Sequence, residues 1–157
     1  MNVLITGAGG MTGAELVRQT AARDWAVTGF TRDELDITDG SEVDAAVARV
    51  KPDIVFNAAA FTAVDAAETS SEIAMAVNAA GAGNVAQAAH FHGAAIIHIS
   101  TDYVFDGEST EPYQPGDRVA PINVYGESKL AGEIAVTEAC ERHVIVRTSW
   151  VYGHEGK

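Results

Sequence analysis

Cysteine is nearly absent from this chain. Cys140 stands alone, which excludes an internal disulfide and fits a reducing compartment, so a cytoplasmic location is expected. No apolar run approaches the roughly 18 residues that a membrane span needs. The opening MNVLITGAGG has no basic segment and turns glycine-rich at once, unlike a secretory signal. Cations are also scarce: ten Lys plus Arg face 22 Asp plus Glu, for a net charge of −12. A field of that sign repels nucleic acid and anionic membranes, and neither is expected as a partner. Three of the ten cations are lysines and alanine is abundant. That acidity reads first as that of an ordinary acidic cytosolic protein, with adaptation to a salty cytoplasm as the alternative.

What is present is a pattern. The 157 residues amount to one domain, and 47% hydrophobic against 20% charged residues suits a packed core. Short apolar runs alternate with longer helix-like stretches. Strands are expected at Val3 to Thr6, Trp25 to Thr31, Asp53 to Asn57, Ala94 to Ser100 and Val144 to Trp150. Helices are expected near Thr12 to Arg23, from an N-cap at Ser41 through Val50, over Ser71 to His92, and over Asn123 to Arg142. Thr101 to Pro121 holds Pro112, Pro115 and Pro121 and reads as a loop. The alternation predicts a doubly wound, Rossmann-like α/β fold with a parallel sheet. The sequence runs out soon after the last strand, at Tyr152-Gly153-His154-Glu155-Gly156-Lys157. A parallel sheet needs both faces covered. Residues 1–157 are therefore expected to be an N-terminal dinucleotide-binding domain whose C-terminal, substrate-binding part is not in this chain.

A glycine turn follows the first strand and opens the first helix. Gly7, Gly10 and Gly13 are spaced three apart in TGAGGMTG. The first permits a tight turn, the second lets backbone approach a pyrophosphate, and the third lets helix pack on strand. Free N–H groups at the helix start then receive phosphate charge. At the end of the second strand, Arg32 suits a 2′-phosphate and hence NADP(H), while Asp33 keeps NAD(H) open.

Tyr125 and Lys129 stand at i and i+4, so they share one helix face. A cation beside a phenol is expected to lower its pKa and ready it as an acid toward a carbonyl. An exposed helix pair with no chemistry is the plainer reading of that spacing alone. Thr101, however, lies just past the fourth strand, where ligands of open α/β sheets gather. Its hydroxyl is placed to hold a carbonyl oxygen, or else to close a local turn. Asn57-Ala58-Ala59-Ala60 follows the third strand, and its small residues allow close approach of a cofactor.

No metal site is expected. His90 and His92 point different ways on a helix, and His98, between Ile97 and Ile99, reads as a hydrogen-bonded structural residue. His143 and His154 have no partners by spacing, and Cys140 reads as packing. Asp65, Glu68 and Glu72 read as a solvated helix face.

Taken together, TGAGGMTG, LDITD (35–39), NAAAFTAVDAAE (57–68), STDYVFDG (100–107), NVYGESKLAGE (123–133) and RTSWVYG (147–153) resemble the dTDP-4-dehydrorhamnose reductases. These are extended short-chain dehydrogenase/reductases of nucleotide-sugar metabolism. The resemblance runs over nearly the whole chain in the family's order. It implies a catalytic set of Thr101, Tyr125 and Lys129, with Tyr125 as proton donor and Lys129 on the nicotinamide ribose. It places Gly10, Met11 and Thr12 along the pyrophosphate, and Asp36 and Ile37 at the adenine. Ala60, Phe61 and Thr62 would line the cofactor trough, and Asp102 and Trp150 would reach the sugar. The implied reaction reduces a 4-keto group of a dTDP-sugar to give dTDP-L-rhamnose, with a homodimer as one open assembly. Family members run to nearly twice this length, so this chain alone is expected to be inactive. Another sugar-nucleotide reductase or epimerase, or a non-catalytic cofactor-binding regulatory subunit, stays open as an alternative.

Overall fold

A computed structural model describes residues 1–153. Five strands form one sheet in the order β2-β1-β3-β4-β5, with every pair parallel. They are β1 (Asn2–Thr6), β2 (Ala26–Phe30), β3 (Ile54–Asn57), β4 (Ala95–Thr101) and β5 (His143–Thr148). Val3, Leu4 and Ile5 are consecutive and fully buried, as a central parallel strand covered on both faces requires. The doubly wound fold read from the sequence is the fold observed.

Helix α1 (Met11–Ala21) joins β1 to β2, and α2 (Gly40–Val50) joins β2 to β3. The chain reverses its direction across the sheet between those crossovers, so right-handed connections place α1 and α2 on opposite faces. Helices α5 (Ala82–Phe91) and α6 (Val124–Ala139) follow the direction of α2, and α2, α5 and α6 pack in a row. The core lies under that row and includes Leu4, Val55, Ile96, Val85 and Val136. On β5, Val144 and Val146 are exposed while Ile145 packs on the core, so one face of the outer strand is bare.

Several boundaries differ from expectation. The cap of α2 is Asp39 rather than Ser41, since the Asp39 carboxylate accepts from the N–H groups of Ser41 and Glu42. The stretch expected as one helix over Ser71 to His92 is α4 (Ser71–Met75), a π segment (Ala76–Gly81) and α5. A short helix α3 (Val64–Ala67) precedes it. The loop expected from Thr101 begins as a 3₁₀ turn at Asp102–Val104. The last strand stops at Thr148, short of Trp150, which lies outside the sheet with a left-handed φ of 51°. Residues 154–157, with His154 and most of the expected uncovered end, lie outside the described residues.

Close helix contacts rest on absent side chains. A Cβ on Gly132 of α6 would meet the Asn78 carbonyl oxygen of the π segment at 2.1 Å, and one on Gly126 would meet that of Tyr103 at 2.2 Å. Both neighbours are backbone and cannot swing away. Gly132→Ala should therefore cost about 1–3 kcal/mol by overpacking and lower the melting temperature by several degrees. Gly116→Ala, where a Cβ meets nothing within 4 Å, should leave it unchanged. Equal melting curves for the two variants would show that the α6 contact is not tight.

Candidate active site

An open crevice of about 1400 Å³ lies along the carboxyl ends of the strands. The glycine turn forms one wall. Gly7 has φ of 70°, and a Cβ there would meet the Ala59 nitrogen at 2.6 Å; a Cβ on Gly13 would meet the Gly7 carbonyl oxygen at 2.0 Å. The turn thus presses against both α1 and the segment after β3. Gly10 caps α1 without any side-chain hydrogen bond, which leaves the first N–H groups of that helix without a side-chain partner.

Past β2, Arg32 and Asp33 are exposed at the rim. Thr31 is tied to Glu34, whose carboxylate accepts from its N–H and its hydroxyl at 2.9 and 2.8 Å. The Asp36 carboxylate accepts from the N–H and hydroxyl of Thr38 at 2.9 and 2.8 Å, and these bonds hold its pKa below the usual carboxylate range, with Arg32 a smaller cause. Ile37 lines the crevice yet is 5% exposed, wedged where a Cβ on Gly81 would touch it at 2.8 Å.

The opposite wall comes from β4 and α6. Asn123 caps α6 by accepting from the Gly126 N–H at 2.7 Å, which sets Tyr125 on the first turn and Lys129 one turn later. Tyr125 packs edge-on against Tyr103 with ring centroids 5.5 Å apart. Thr101 closes the local turn considered for it and also meets the phenol. Its oxygen accepts from the Tyr103 N–H at 3.2 Å, closing a local turn, while its hydroxyl lies against the Tyr125 phenol. Lys129 is only 2% exposed and donates to the Ile99 carbonyl at 2.7 Å. Asp102 accepts from the Ser149 hydroxyl at 2.6 Å, and Trp150 projects into solvent.

The electrostatics reverse one expectation. Burial pushes the Tyr125 pKa up, and the Thr101 hydroxyl opposes this only in part; Lys129 does not lower it, because its ammonium is directed at β4. Burial instead lowers Lys129, to about 8, with Glu133 opposing. Glu133 is itself a buried anion. It accepts from Ser100 at 2.6 Å and from Arg147 through two bonds of 2.9 and 2.7 Å, an arrangement that satisfies a buried pair.

Every site residue named from the sequence lines this one crevice: Gly7, Gly10, Met11, Thr12, Gly13, Arg32, Asp36, Ile37, Ala60, Phe61, Thr62, Thr101, Asp102, Tyr125, Lys129 and Trp150. Asn78 was not singled out, yet its amide holds the crevice together. It accepts from the Phe61 N–H at 2.8 Å and donates to the Phe61 carbonyl at 3.0 Å and to Ser128 at 2.9 Å. Only its position in the π segment exposes that role. Glu68, expected as solvated, also accepts from the Val124 N–H, and His143 bonds the Cys140 carbonyl at 2.7 Å. Among the described residues no cluster of three His, Cys, Asp or Glu is arranged for a metal ion, and no helix is long and apolar enough to cross a membrane.

Residues 1–157 match the family model of the RmlD substrate binding domain. The chain belongs to that family. Within its wider circle, the dTDP-4-dehydrorhamnose reductase of Streptomyces griseus is 48% identical over 154 residues, covering 98% of this chain and 51% of the relative. The Escherichia coli K12 enzyme of the same name is 45% identical, covering 99% and 53%. A crystal structure of dTDP-4-dehydrorhamnose reductase from Bacillus anthracis in complex with NADP superposes with a TM-score of 0.96 at 44% identity, covering 99% of this chain and 55% of that one. The chain spans about half the length of these RmlD relatives.

His98 on β4 is fully buried, and burial, helped by Lys129, pushes its pKa down to about 3. Its unfolded value is near 6.5. Between those values the unfolded chain binds the extra proton, so stability should rise with pH from about 3 to 6.5. His98→Gln removes this titration. The difference in unfolding free energy between the two proteins should then narrow as pH falls through that window. A difference independent of pH in urea melts would show that His98 does not titrate as its burial dictates.

Proposed function

We propose that this chain is the dinucleotide-binding half of an NAD(P)H-dependent reductase that converts dTDP-4-dehydro-L-rhamnose to dTDP-L-rhamnose. One observation carries the reading: an uncapped, glycine-built helix start and a buried Thr-Tyr-Lys group open into the same crevice. The glycine cradle fits a pyrophosphate, because Cβ atoms at Gly7 and Gly13 would close it. Met11 and Thr12 would lie along the phosphates, Asp36 and Ile37 by the adenine, and Ala60, Phe61 and Thr62 along the trough. Arg32 and Lys129 are the basic residues among the described crevice lining. Arg32 at the rim suits a 2′-phosphate, so NADP(H) is preferred and NAD(H) accepted.

When bound, a reduced nicotinamide supplies hydride to the keto carbon. Tyr125 supplies the proton to the oxygen. Its raised pKa keeps the phenol protonated at neutral pH, as an acid in this direction requires. Thr101, already against that phenol, polarises the same oxygen, and Lys129 holds the ribose side of the trough. Asp102 and Trp150 face the sugar.

In the full-length protein, Tyr125→Phe should lower kcat by about 10²–10⁴, the usual contribution of a general acid, with NADPH affinity nearly unchanged. Loss of reduced-nicotinamide fluorescence with the dTDP-4-keto sugar measures this, and wild-type turnover in the variant would remove Tyr125 from the mechanism. The 157-residue chain alone should bind NADPH and leave the sugar unreduced, since positioning of both reactants supplies much of the rate.

Arg32→Ala should weaken NADPH more than NADH, by about tenfold if the charge-assisted bond to phosphate is well formed. Fluorescence titrations of both cofactors measure the ratio. Equal losses would make Arg32 a solvated bystander.

A further inference from the structure

A polar rung crosses the apolar face of the sheet. Thr6 of β1, Asn57 of β3 and His98 of β4 are register partners on adjacent strands. All three are buried, at 1%, 0% and 0% exposure, and none lines the crevice. The Thr6 hydroxyl donates to Asn57 Oδ1 at 2.7 Å, the Asn57 amide meets His98 Nδ1 at 3.1 Å, and His98 Nε2 faces Lys129 Nζ at 3.4 Å. Three polar side chains in one rung of a core cost desolvation unless each is satisfied. Among the described residues no buried side-chain polar atom lacks a partner, so the rung is a closed network rather than a packing accident.

The chemistry of those atoms allows two self-consistent arrangements. With Thr6 donating to Asn57 Oδ1, the amide nitrogen donates to His98 Nδ1, and the neutral imidazole carries its proton on Nε2. A cationic Lys129 has three donors and no acceptor, so an Nε2–H facing it is satisfied only by a neutral amine. If Lys129 carries its charge, Nε2 must accept, Nδ1 bears the proton, and the Asn57 amide turns over so that Oδ1 accepts from His98 and Nδ2 donates to Thr6. The imidazole is neutral in both arrangements, and its proton changes nitrogen. The two states differ by one proton, lost from Lys129 to solvent.

We propose that Thr6, Asn57 and His98 form one reversible hydrogen-bond chain that is coupled to the charge of Lys129, with His98 as a positioning residue for its ammonium. The function of that coupling rests on the reductase reading; the coupling itself does not. Thr6 directly precedes Gly7, so the chain links the lysine of one crevice wall to the strand that carries the glycine turn of the other. Among the described residues, α6 also carries Glu133, which acts on Lys129, and Tyr125 one turn earlier, while Arg147 on β5 is held by Glu133. Glu133 favours the charged lysine, and among the described residues His98 is the ionisable side chain in direct contact with Nζ.

The test is a pH titration of the 157-residue chain by ¹⁵N NMR, with histidine and lysine labelled. It follows which His98 nitrogen bears the proton and the Nζ shift of Lys129. The expected result is Nδ1–H at low pH changing to Nε2–H at high pH, with an inflection near 8 shared with Lys129. Asn57→Asp offers only acceptors, fixes the proton on Nδ1, and should move the Lys129 inflection up by about one pH unit or more. One unchanging tautomer while Lys129 titrates would overturn the proposal. So would an Asn57→Asp protein that folds and keeps the wild-type inflection. Should that variant not fold, the wild-type titration decides alone. A failed sugar-reduction assay would leave this coupling standing, and a failed titration would leave the reductase reading standing.

Discussion

A lysine ammonium buried beneath the carboxyl ends of the strands is the constraint on which the rest of this structure depends. An unpartnered charge there is prohibitively costly. The Ile99 carbonyl, His98 and the nearby Glu133 supply the compensation. Glu133 in turn needs Arg147 and Ser100, and Arg147 stacks on Phe105 with its guanidinium 5.0 Å from the ring centroid. Satisfying one cation thus recruits β4, β5, α6 and the loop after β4 into a single polar assembly at the crevice floor.

That assembly requires close approach, and small residues provide it. Gly132 lets α6 touch the π segment, and Gly126 lets its first turn touch the backbone of Tyr103. The π segment itself turns Asn78 toward Phe61 and Ser128. A π bulge shifts the helix register by one residue, a device often found at functional sites. The Ser128 hydroxyl continues the connection to the Tyr125 carbonyl at 2.7 Å, so both crevice walls are fixed through one amide.

The phenol shows how geometry redirects a familiar argument. Spacing puts Lys129 and Tyr125 on one helix face, and proximity alone suggests a lowered tyrosine pKa. The lysine side chain runs down to β4 instead, and burial governs the phenol. The result is a tyrosine that keeps its proton and a lysine near the edge of losing one, a division of roles suited to donating a proton at neutral pH.

The sequence by itself determined the alternation of strands and helices, the parallel sheet, the glycine turn and the residues that would meet at the strand ends. The alternation, the sheet and the turn follow from periodicity and from the conformational freedom of glycine, and Thr101 from the rule that ligands gather where parallel strands end; most of the remaining crevice residues follow from the resemblance to the dTDP-4-dehydrorhamnose reductases. Local competition was harder to see: Asp39 and Ser41 are both good caps, and only the backbone path decides between them. Other features are long-range. Asn78 looks like any polar residue of an alanine-rich helix until the π segment aims it. Thr6, Asn57 and His98 are 51 and 41 residues apart in turn, and only sheet register makes them neighbours. Hydrogen bonds across strands depend on which residues stand opposite one another, and no local pattern in the chain encodes that.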